Sequence, residues 1–376
     1  MPLRIVVAPD KFKGSLGAAD VAAALADGVR DVVPDAICVL VPMADGGDGT
    51  VDAFLAAGAT ARTARVSGPY GEAVDATYAR DGATAIIEMA AASGLALVPD
   101  RHEPRRATTR GTGELLRDAL DGGATRIVLG VGGSATTDGG AGALAALGAR
   151  FLDADGGVLD PPPDALAQVA AIDLGGLDPR LDAVDLAVAC DVNNPLLGPH
   201  GSAAVYAPQK GASPSDVAFL DGVLGRLADA MRAATGRDLR DLSGAGAAGG
   251  LGWALASAAG ARLERGVRLV AEVRGLEGAL TGADWCFTGE GRIDEQTLRG
   301  KVVDGVAALA RERRVPVVAF GGSIDLAVEA ALRARGVRCV PIVPGPATLR
   351  EAIDQGAANL RAAAARIAAF LPRSGG

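Results

Sequence analysis

Two aspartates stand close together in a glycine-rich segment near the start of the chain. Residues 42–50 read PMADGGDGT, which places Asp45 and Asp48 three residues apart with glycines around them. Glycine lets a backbone approach a ligand closely, and one or two carboxylates beside phosphates are the usual protein ligands of Mg²⁺. The segment therefore predicts a metal and phosphate site. The alternative is that Asp48 only caps a helix that begins near Val51.

A second glycine-rich segment carries hydroxyl groups. Residues 130–142 read GVGGSATTDGGAG and lie between an apolar run, 126–129, and an alanine-rich helical stretch. Backbone N–H groups in such a turn, just before a helix N-terminus, form a cradle for phosphate. The segment is not a Walker loop, because no Gly-Lys-Ser/Thr sequence closes it.

The same segment fits the loosest form of a dinucleotide fingerprint. The pattern Gly130-x-Gly132-x-x-Ala135 follows an apolar run, and Asp153 and Asp155 lie about 20 residues further on, where such folds place an acid for the ribose. An NAD-dependent dehydrogenase of a small hydroxy acid is therefore the alternative function. It would leave the acidic loops elsewhere in the chain without a purpose.

Charged residues follow two further apolar runs. Residues 9–16, PDKFKGSL, combine two lysines with Ser15 at a helix start, which predicts an anion site or a solvated loop with Ser15 as the N-cap. Residues 190–196, CDVNNPL, place Asp191 at a strand end. There it can bind a metal or accept a proton from a substrate hydroxyl, unless it only begins a turn before Pro195.

Acidic and basic residues also converge near the end of the chain, in residues 288–301, TGEGRIDEQTLRGK. Arg292 and Lys301 can neutralise phosphate charge, and Glu290 and Asp294 can organise Mg²⁺. The alternative is a network of surface salt bridges.

The histidine content excludes several other chemistries. Only His102 and His200 are present, so a His-rich zinc site is excluded, and neither stands near a nucleophile elbow. Glycine, aspartate, lysine and threonine at strand ends suit phosphoryl transfer, in which the protein mainly positions reactants and balances charge. The concentration of acid and base groups disfavours a non-enzymatic small-ligand receptor.

The chemistry-bearing loops must be positioned by alternating strands and helices. Apolar runs predict strands at 4–8, 36–41, 126–130, 185–190, 284–287, 315–320 and 337–343, and helical stretches follow most of them, as at 18–32, 113–120 and 298–313. This alternation predicts an α/β fold with a parallel sheet covered on both faces. Residues 61–88 instead predict a small meander, at 64–66, 73–78 and 85–88, so a second domain begins near residue 60.

Length and composition set the remaining expectations. A chain of 376 residues exceeds what one core usually supports, which predicts two domains. A net charge of −8 disfavours nucleic acid and anionic membranes as partners. No apolar run is long enough for a membrane span or a signal peptide. The four cysteines lie far apart and are expected to be buried and reduced, which predicts a cytoplasmic protein.

Six blocks of the sequence resemble, in order, the blocks of the class I bacterial glycerate kinases, from about residue 3 to near the C-terminus. The blocks are Ala8-Pro9-Asp10-x-Phe12-Lys13-x-Ser15-Leu16, Ala44-Asp45-Gly46-Gly47-x-Gly49-Thr50, Gly130-x-Gly132-Gly133-Ser134-Ala135-Thr136, Ala189-Cys190-Asp191-Val192-x-Asn194-Pro195-Leu196, Pro208-Gln209-Lys210-Gly211-Ala212 and Gly289-Glu290-Gly291-Arg292-Ile293-Asp294. Three positions depart from the family pattern. Lys11 and Gly14 replace other polar residues, and Asp48 replaces a common glutamate.

The resemblance implies transfer of the γ-phosphate of ATP to D-glycerate with Mg²⁺, giving 2-phosphoglycerate rather than 3-phosphoglycerate, in glyoxylate and glucarate catabolism. It also implies two α/β domains with the active site in the cleft between them. Residues 1–60 and 275–376 would form a Rossmann- or flavodoxin-like parallel-sheet domain, and residues 61–274 a second α/β domain inserted into it. The oligomeric state stays open, with a homodimer among the options.

The resemblance further implies roles for individual residues, with Asp191 as the preferred base. The catalytic group would be Asp191, Asp45, Asp294 and Lys13. Binding of glycerate would involve Lys13, Ser15, Arg292 and Asn194. Binding of ATP would involve Gly132, Gly133, Ser134, Thr136, Gly289 and Lys301. The Mg²⁺ ligands would come from Asp45, Asp48, Glu290 and Asp294.

Overall fold

The structure, a computed structural model, describes residues 2–47 and 49–371. Strands and helices alternate along most of the chain, which confirms the predicted α/β class. No helix in the described residues combines the length and the apolar character that crossing a membrane requires.

The regular elements of the described residues are numbered in chain order. The strands β1 to β14 are Arg4–Val7, Ile37–Leu40, Thr60–Ser67, Ala73–Asp81, Thr84–Glu88, Arg126–Gly130, Arg150–Leu152, Val158–Leu159, Ala171–Asp173, Asp185–Ala189, Arg262–Glu264, Trp285–Ile293, Val317–Ile324 and Val337–Pro341. The helices α1 to α15 are Ala18–Val32, Thr50–Ala56, Ala90–Ser93, Arg110–Asp121, Ala141–Ala146, Pro163–Leu166, Ser202–Tyr206, Pro214–Thr235, Leu251–Ala259, Gly266–Val273, Leu276–Leu280, Val302–Glu312, Leu326–Ala334, Leu349–Asp354 and Gly356–Ala368.

The chain divides into two compact units. Unit 1 combines Met1–Asp45 with Arg265–Gly376, and unit 2 is Gly46–Glu264. The boundaries predicted from the sequence, after residues 60 and 274, lie further along the chain at both points. The segment 46–60 belongs to unit 2 because α2 packs on β4 and β5 of that unit.

Unit 1 is built on a five-stranded sheet in the order β14-β13-β12-β1-β2. All four neighbouring pairs are parallel. When the five strands of unit 1 are renumbered in chain order, the sheet order is 2-1-3-4-5, the flavodoxin-like order. The inner strands β12 and β13 begin with the apolar runs 285–287 and 317–320, as expected for a sheet covered on both faces, and the Phe287 and Phe320 rings meet edge to face 5.1 Å apart.

The strand β12 is longer than the apolar run that predicted it. Residues 284–287 were expected to form the strand and 288–301 the following loop, but β12 continues to Ile293. The extension is held by pairing with β13, up to Ile293 opposite Ile324. Six of the 14 residues of the predicted acidic loop are therefore strand, and the chain turns only after Ile293.

Unit 2 is built on a six-stranded sheet in the order β11-β10-β6-β5-β4-β3. The four strands β11, β10, β6 and β5 are parallel. β4 pairs antiparallel with β5, and β3 pairs antiparallel with β4. The predicted meander is thereby confirmed, with longer strands than expected. A separate small sheet, β8-β7-β9, lies in the same unit.

Candidate active site

Unit 2 contains a pocket at the carboxyl ends of β6 and β10. Its volume is about 360 Å³. One wall is the segment Val131–Ser134 that follows β6, and Asp191 and Val192 after β10 form another side. Tyr206 and Gln209 also line the pocket. Ligands of parallel sheets bind at this end of the strands, so the position agrees with the one predicted.

The glycine loop offers unused donors to this pocket. Gly132, Gly133 and Ser134 line it, and among the described residues none of their N–H groups donates to a protein acceptor. Gly133 has a φ of +69°, in the left-handed region, which helps successive N–H groups point to one side. Three free amide donors around a cavity suit a phosphate or a carboxylate.

Backbone hydrogen bonds to residues 93–95 hold the loop in place. The Leu95 N–H donates to the Gly133 carbonyl at 2.8 Å, and the Ala135 N–H donates to the Ser93 carbonyl at 2.9 Å. Thr136, which was predicted with the binding residues, is fully buried and does not line the pocket. Thr136 therefore supports the loop.

A buried carboxylate ends the loop. Asp138 is fully buried and accepts hydrogen bonds from the N–H groups of Thr109, Gly140 and Gly142 and from the hydroxyls of Thr108 and Thr109. These donors lie at the start of α4 and of α5, so Asp138 joins two helix N-termini beneath the pocket.

The two residues predicted after β10 differ in their surroundings. Asp191 is exposed and lines the pocket. Asn194 instead uses its side chain within the protein: its Nδ2 donates to the His200 carbonyl at 2.8 Å, and its Oδ1 accepts from the Tyr206 hydroxyl at 2.6 Å. Since Tyr206 lines the pocket, Asn194 shapes the pocket wall rather than presenting a free amide to a substrate.

Unit 1 gathers carboxylates at the point where its strand order reverses, between β1 and β12. Asp10 follows β1, and its N–H donates to the Gly289 carbonyl of β12 at 2.8 Å. Burial, and then the charge of Asp45, raise the pKa of Asp10 to about 7. Glu290, on β12, is 6% exposed. Burial raises its pKa to about 7, although the Thr297 hydroxyl donates to its Oε1.

Cations border this acidic group. The positive charge of Lys301 acts on both Asp10 and Glu290 and lowers their pKa values against the effect of burial. Lys301 is the N-cap residue of α12. Lys13 is exposed, and its backbone lies beside Gly291, where an added Cβ would stand 3.3 Å from the Lys13 nitrogen.

Other predicted residues of unit 1 contact other parts of the protein. The Ser15 hydroxyl donates to the Ile353 carbonyl at 2.9 Å, and α1 begins after Gly17, so Ser15 is not the helix N-cap. Arg292 pairs with Asp294 at 3.3 Å with its own side chain 78% exposed. Such an exposed salt bridge contributes little stability.

The structure describes three of the four residues that were predicted to bind Mg²⁺. Asp48 lies outside the described residues. At the start of α2, the Val51 N–H donates to Glu88 Oε1 at 2.8 Å. No group of three or more His, Cys, Asp or Glu among residues 2–47 and 49–371 is arranged to hold a metal ion. The carboxylates of Asp45, Glu290 and Asp294 still match the oxygen ligands that Mg²⁺ prefers when phosphates complete its shell.

Removing the charge of Glu290 is expected to stabilise the protein at alkaline pH. Because folding raises the pKa of Glu290, the free energy of unfolding falls as the pH rises from the pKa of Glu290 in the unfolded chain, near 4.5, through its pKa in the folded protein, about 7. Glu290→Gln keeps an acceptor for the Thr297 hydroxyl and removes this cost. Urea unfolding in EDTA should show Glu290→Gln more stable than the parent by about 2 kcal/mol at alkaline pH, with the difference shrinking towards acidic pH.

The matched control is Glu295→Gln, because the Glu295 side chain is 85% exposed. Its effect should stay within about 0.5 kcal/mol at both pH values. Equal stability of Glu290→Gln and the parent at alkaline pH would contradict the raised pKa of Glu290.

Sequence reasoning gave no role to three charged residues that the structure buries wholly or in part: Asp10, Asp138 and Lys210. Asp10 had a usable signal, since it follows a strand as Asp45 and Asp191 do, but the two lysines beside it favoured the prediction of an anion site. Asp138 carries no such signal, because its partners Thr108 and Thr109 come from a distant segment. Lys210 stands in one of the six family blocks, but nothing local shows that its side chain is buried.

The chain is similar to known proteins over nearly its whole length. Residues 5–372 match the model of the glycerate kinase family. The chain is 47% identical over 373 residues to a glycerate kinase of Bacillus subtilis and 45% identical over 376 residues to the glycerate 2-kinase of Escherichia coli, covering 98% of each chain in both comparisons. A crystal structure assigned as glycerate kinase 2 from Salmonella typhimurium LT2 matches with a TM-score of 0.89 and 44% identity, again over 98% of each chain. None of these similarities supports the dehydrogenase alternative.

Proposed function

This chain belongs to the glycerate kinase family, and from that premise we propose that it transfers the γ-phosphoryl group of ATP to D-glycerate. The family resemblance read from the six sequence blocks is thereby confirmed. The proposed product is 2-phosphoglycerate, supported by the similarity to the Escherichia coli glycerate 2-kinase. A homodimer and a cytoplasmic location stay predictions from the sequence.

The observation that carries the proposal is the pocket of unit 2. It brings the unused N–H donors of Gly132–Ser134 and the carboxylate of Asp191 into one cavity of about 360 Å³. Amide donors stabilise phosphate oxygens without adding a proton-transfer group, so we assign this loop to the phosphates of ATP. An exposed carboxylate beside them can accept the proton of an attacking hydroxyl, and we assign this role to Asp191.

Unit 1 supplies the groups that balance charge. We propose that Mg²⁺ binds with the nucleotide, using carboxylates from the set Asp45, Asp48, Glu290 and Asp294. The ion would neutralise charge on the phosphates of ATP. Lys301 and Gly289, at the same end of the unit 1 sheet, are assigned to the binding of phosphate oxygens. Lys13 and Arg292, both exposed, are assigned to the carboxylate of glycerate.

The proposal is tested by product formation with purified protein. D-glycerate, ATP and Mg²⁺ should yield ADP at a rate that depends on all three, and added enolase should convert the product to phosphoenolpyruvate, because 2-phosphoglycerate is the substrate of that enzyme. L-glycerate serves as the control. An absence of glycerate-dependent ADP formation would overturn the kinase activity. A product that enolase converts only after phosphoglycerate mutase is added would overturn the choice of the 2-hydroxyl.

A further inference from the structure

Lys210 is a charged side chain inside unit 2 that none of the proposed roles uses. It ends the short 3₁₀ helix Pro208–Lys210 and is 2% exposed. Its Nζ donates to the Thr136 carbonyl at 2.5 Å. The residue before it, Gln209, lines the pocket, whereas Lys210 does not. The side chain therefore runs beneath the pocket rather than into it.

The hydrogen bond to Thr136 connects two walls of the pocket. Thr136 continues the glycine loop, whose residues Gly132–Ser134 form one wall. Lys210 continues the segment whose residues Tyr206 and Gln209 form another part of the lining. The hydroxyls of Thr136 and Thr137 make no hydrogen bond within the described part of the chain. The Lys210 bond is thus the polar contact that holds this stretch of the loop from the side of Gln209.

Burying an ammonium group costs free energy, so Lys210 is not explained by the packing of its side chain alone. Burial lowers the pKa of Lys210 to about 7, opposed by the negative charge of Asp138. A methionine of similar length would fill the same space without the desolvation cost. The side chain is kept charged or polar next to a carbonyl that needs a donor, at the loop whose N–H groups face the pocket.

We propose that Lys210 is a positioning residue, whose bond to Thr136 keeps the pocket walls at the separation at which the N–H groups of the glycine loop converge on the phosphates of ATP. The proposal rests on the function assigned to this pocket above. In this proposal Lys210 does not contact a substrate. Its loss acts through the loop, so it weakens nucleotide binding and leaves the reacting groups in place.

The first test is Lys210→Met, which keeps the length and removes the donor and the charge. The KM for ATP should rise about tenfold or more, while kcat at saturating ATP changes less than about threefold and the KM for D-glycerate stays near that of the parent. A parent-like KM for ATP would overturn the proposal. So would a rise confined to the KM for D-glycerate, because the loop would then serve the hydroxy acid.

The second test is chemical rescue, which a purely structural role would not show. Lys210→Ala opens space beneath Thr136, and methylammonium at tens of millimolar should lower its KM for ATP towards the parent value. Tetramethylammonium at the same concentration is the control, since it has a charge but no N–H to donate to the Thr136 carbonyl. Equal effects of the two cations would overturn the proposal, even if Lys210→Met proves insoluble.

Failure of this inference can be separated from failure of the proposed function. If the parent protein turns over D-glycerate and the Lys210 variants show an unchanged KM for ATP, only the role of Lys210 is lost. If the parent shows no turnover, calorimetric titration with ADP still compares the parent with Lys210→Met. Weaker ADP binding by the variant then supports the positioning role of Lys210, and equal binding overturns it.

Discussion

Replacing Asp191 with asparagine is expected to lower kcat by about 10²- to 10⁴-fold at saturating ATP, the range associated with loss of a general base. Asparagine has nearly the shape of aspartate but cannot accept a proton at neutral pH. The KM for ATP should stay close to that of the parent, because the N–H donors of Gly132–Ser134 come from a loop that the change does not touch. Steady-state kinetics with both substrates varied separates the two parameters.

The fold should be unaffected by this change, since Asp191 is exposed and exposed substitutions usually alter stability by less than about 0.5 kcal/mol. Circular dichroism and the thermal midpoint check this point. Asp241→Asn, a second exposed aspartate of unit 2 that does not line the pocket, is the matched control and should keep parent-like kinetics. A kcat for Asp191→Asn within threefold of the parent would remove Asp191 from the role of base.

Local signals in the sequence were enough to predict the elements but not their boundaries in every case. Short apolar runs correctly predicted β1, β6 and β10, because a fully buried parallel strand needs apolar side chains on both faces. The extension of β12 through Gly289-Glu290-Gly291 was missed. Two glycines and a carboxylate have low strand propensity, and only the ladder with β13 keeps this segment extended.

Roles that depend on distant partners were the least predictable. Ser15 and Asn194 are residue types that bind small ligands, and the sequence alone assigned them to glycerate. Ser15 instead donates to Ile353, 338 residues away along the chain, and Asn194 is engaged by His200 and Tyr206. By contrast, Asp191 and the glycine loop do reach one pocket, because both directly follow parallel neighbouring strands and the carboxyl ends of such strands share one edge of the sheet.

Replacing Asp138 with asparagine is expected to destabilise unit 2 by about 3 kcal/mol, an effect set by the hydrogen-bond pattern. Oδ2 accepts from Thr108, Thr109 and Gly142, and Oδ1 accepts from the Gly140 N–H. Every partner is a donor. An asparagine must turn its NH₂ group towards one of the two sets, which leaves a donor facing a donor at a fully buried position.

The charge state of Asp138 decides the size of this effect. Burial raises the pKa of Asp138, yet a neutral carboxylic acid would also turn a hydroxyl proton towards one of these donors. The pattern therefore requires the ionised form, with the Lys210 ammonium as the opposing charge. If Asp138 were protonated at neutral pH, asparagine would replace it at little cost. The difference in stability between the parent and Asp138→Asn thus reports whether Asp138, which lies outside the pocket, is ionised.

The measurement can be confined to unit 2, because the chain has two tryptophans and Trp285 is the one in unit 1. In a Trp285→Phe background, fluorescence follows Trp253 alone, which is buried in the unit 2 core and lies beside Gly139, next to Asp138. Urea unfolding in this background should show a clearly lower midpoint for Asp138→Asn and an unchanged one for Asp241→Asn. A parent-like midpoint for Asp138→Asn would mean that the carboxyl is neutral, and that the loop beneath the pocket is held without a charge at its end.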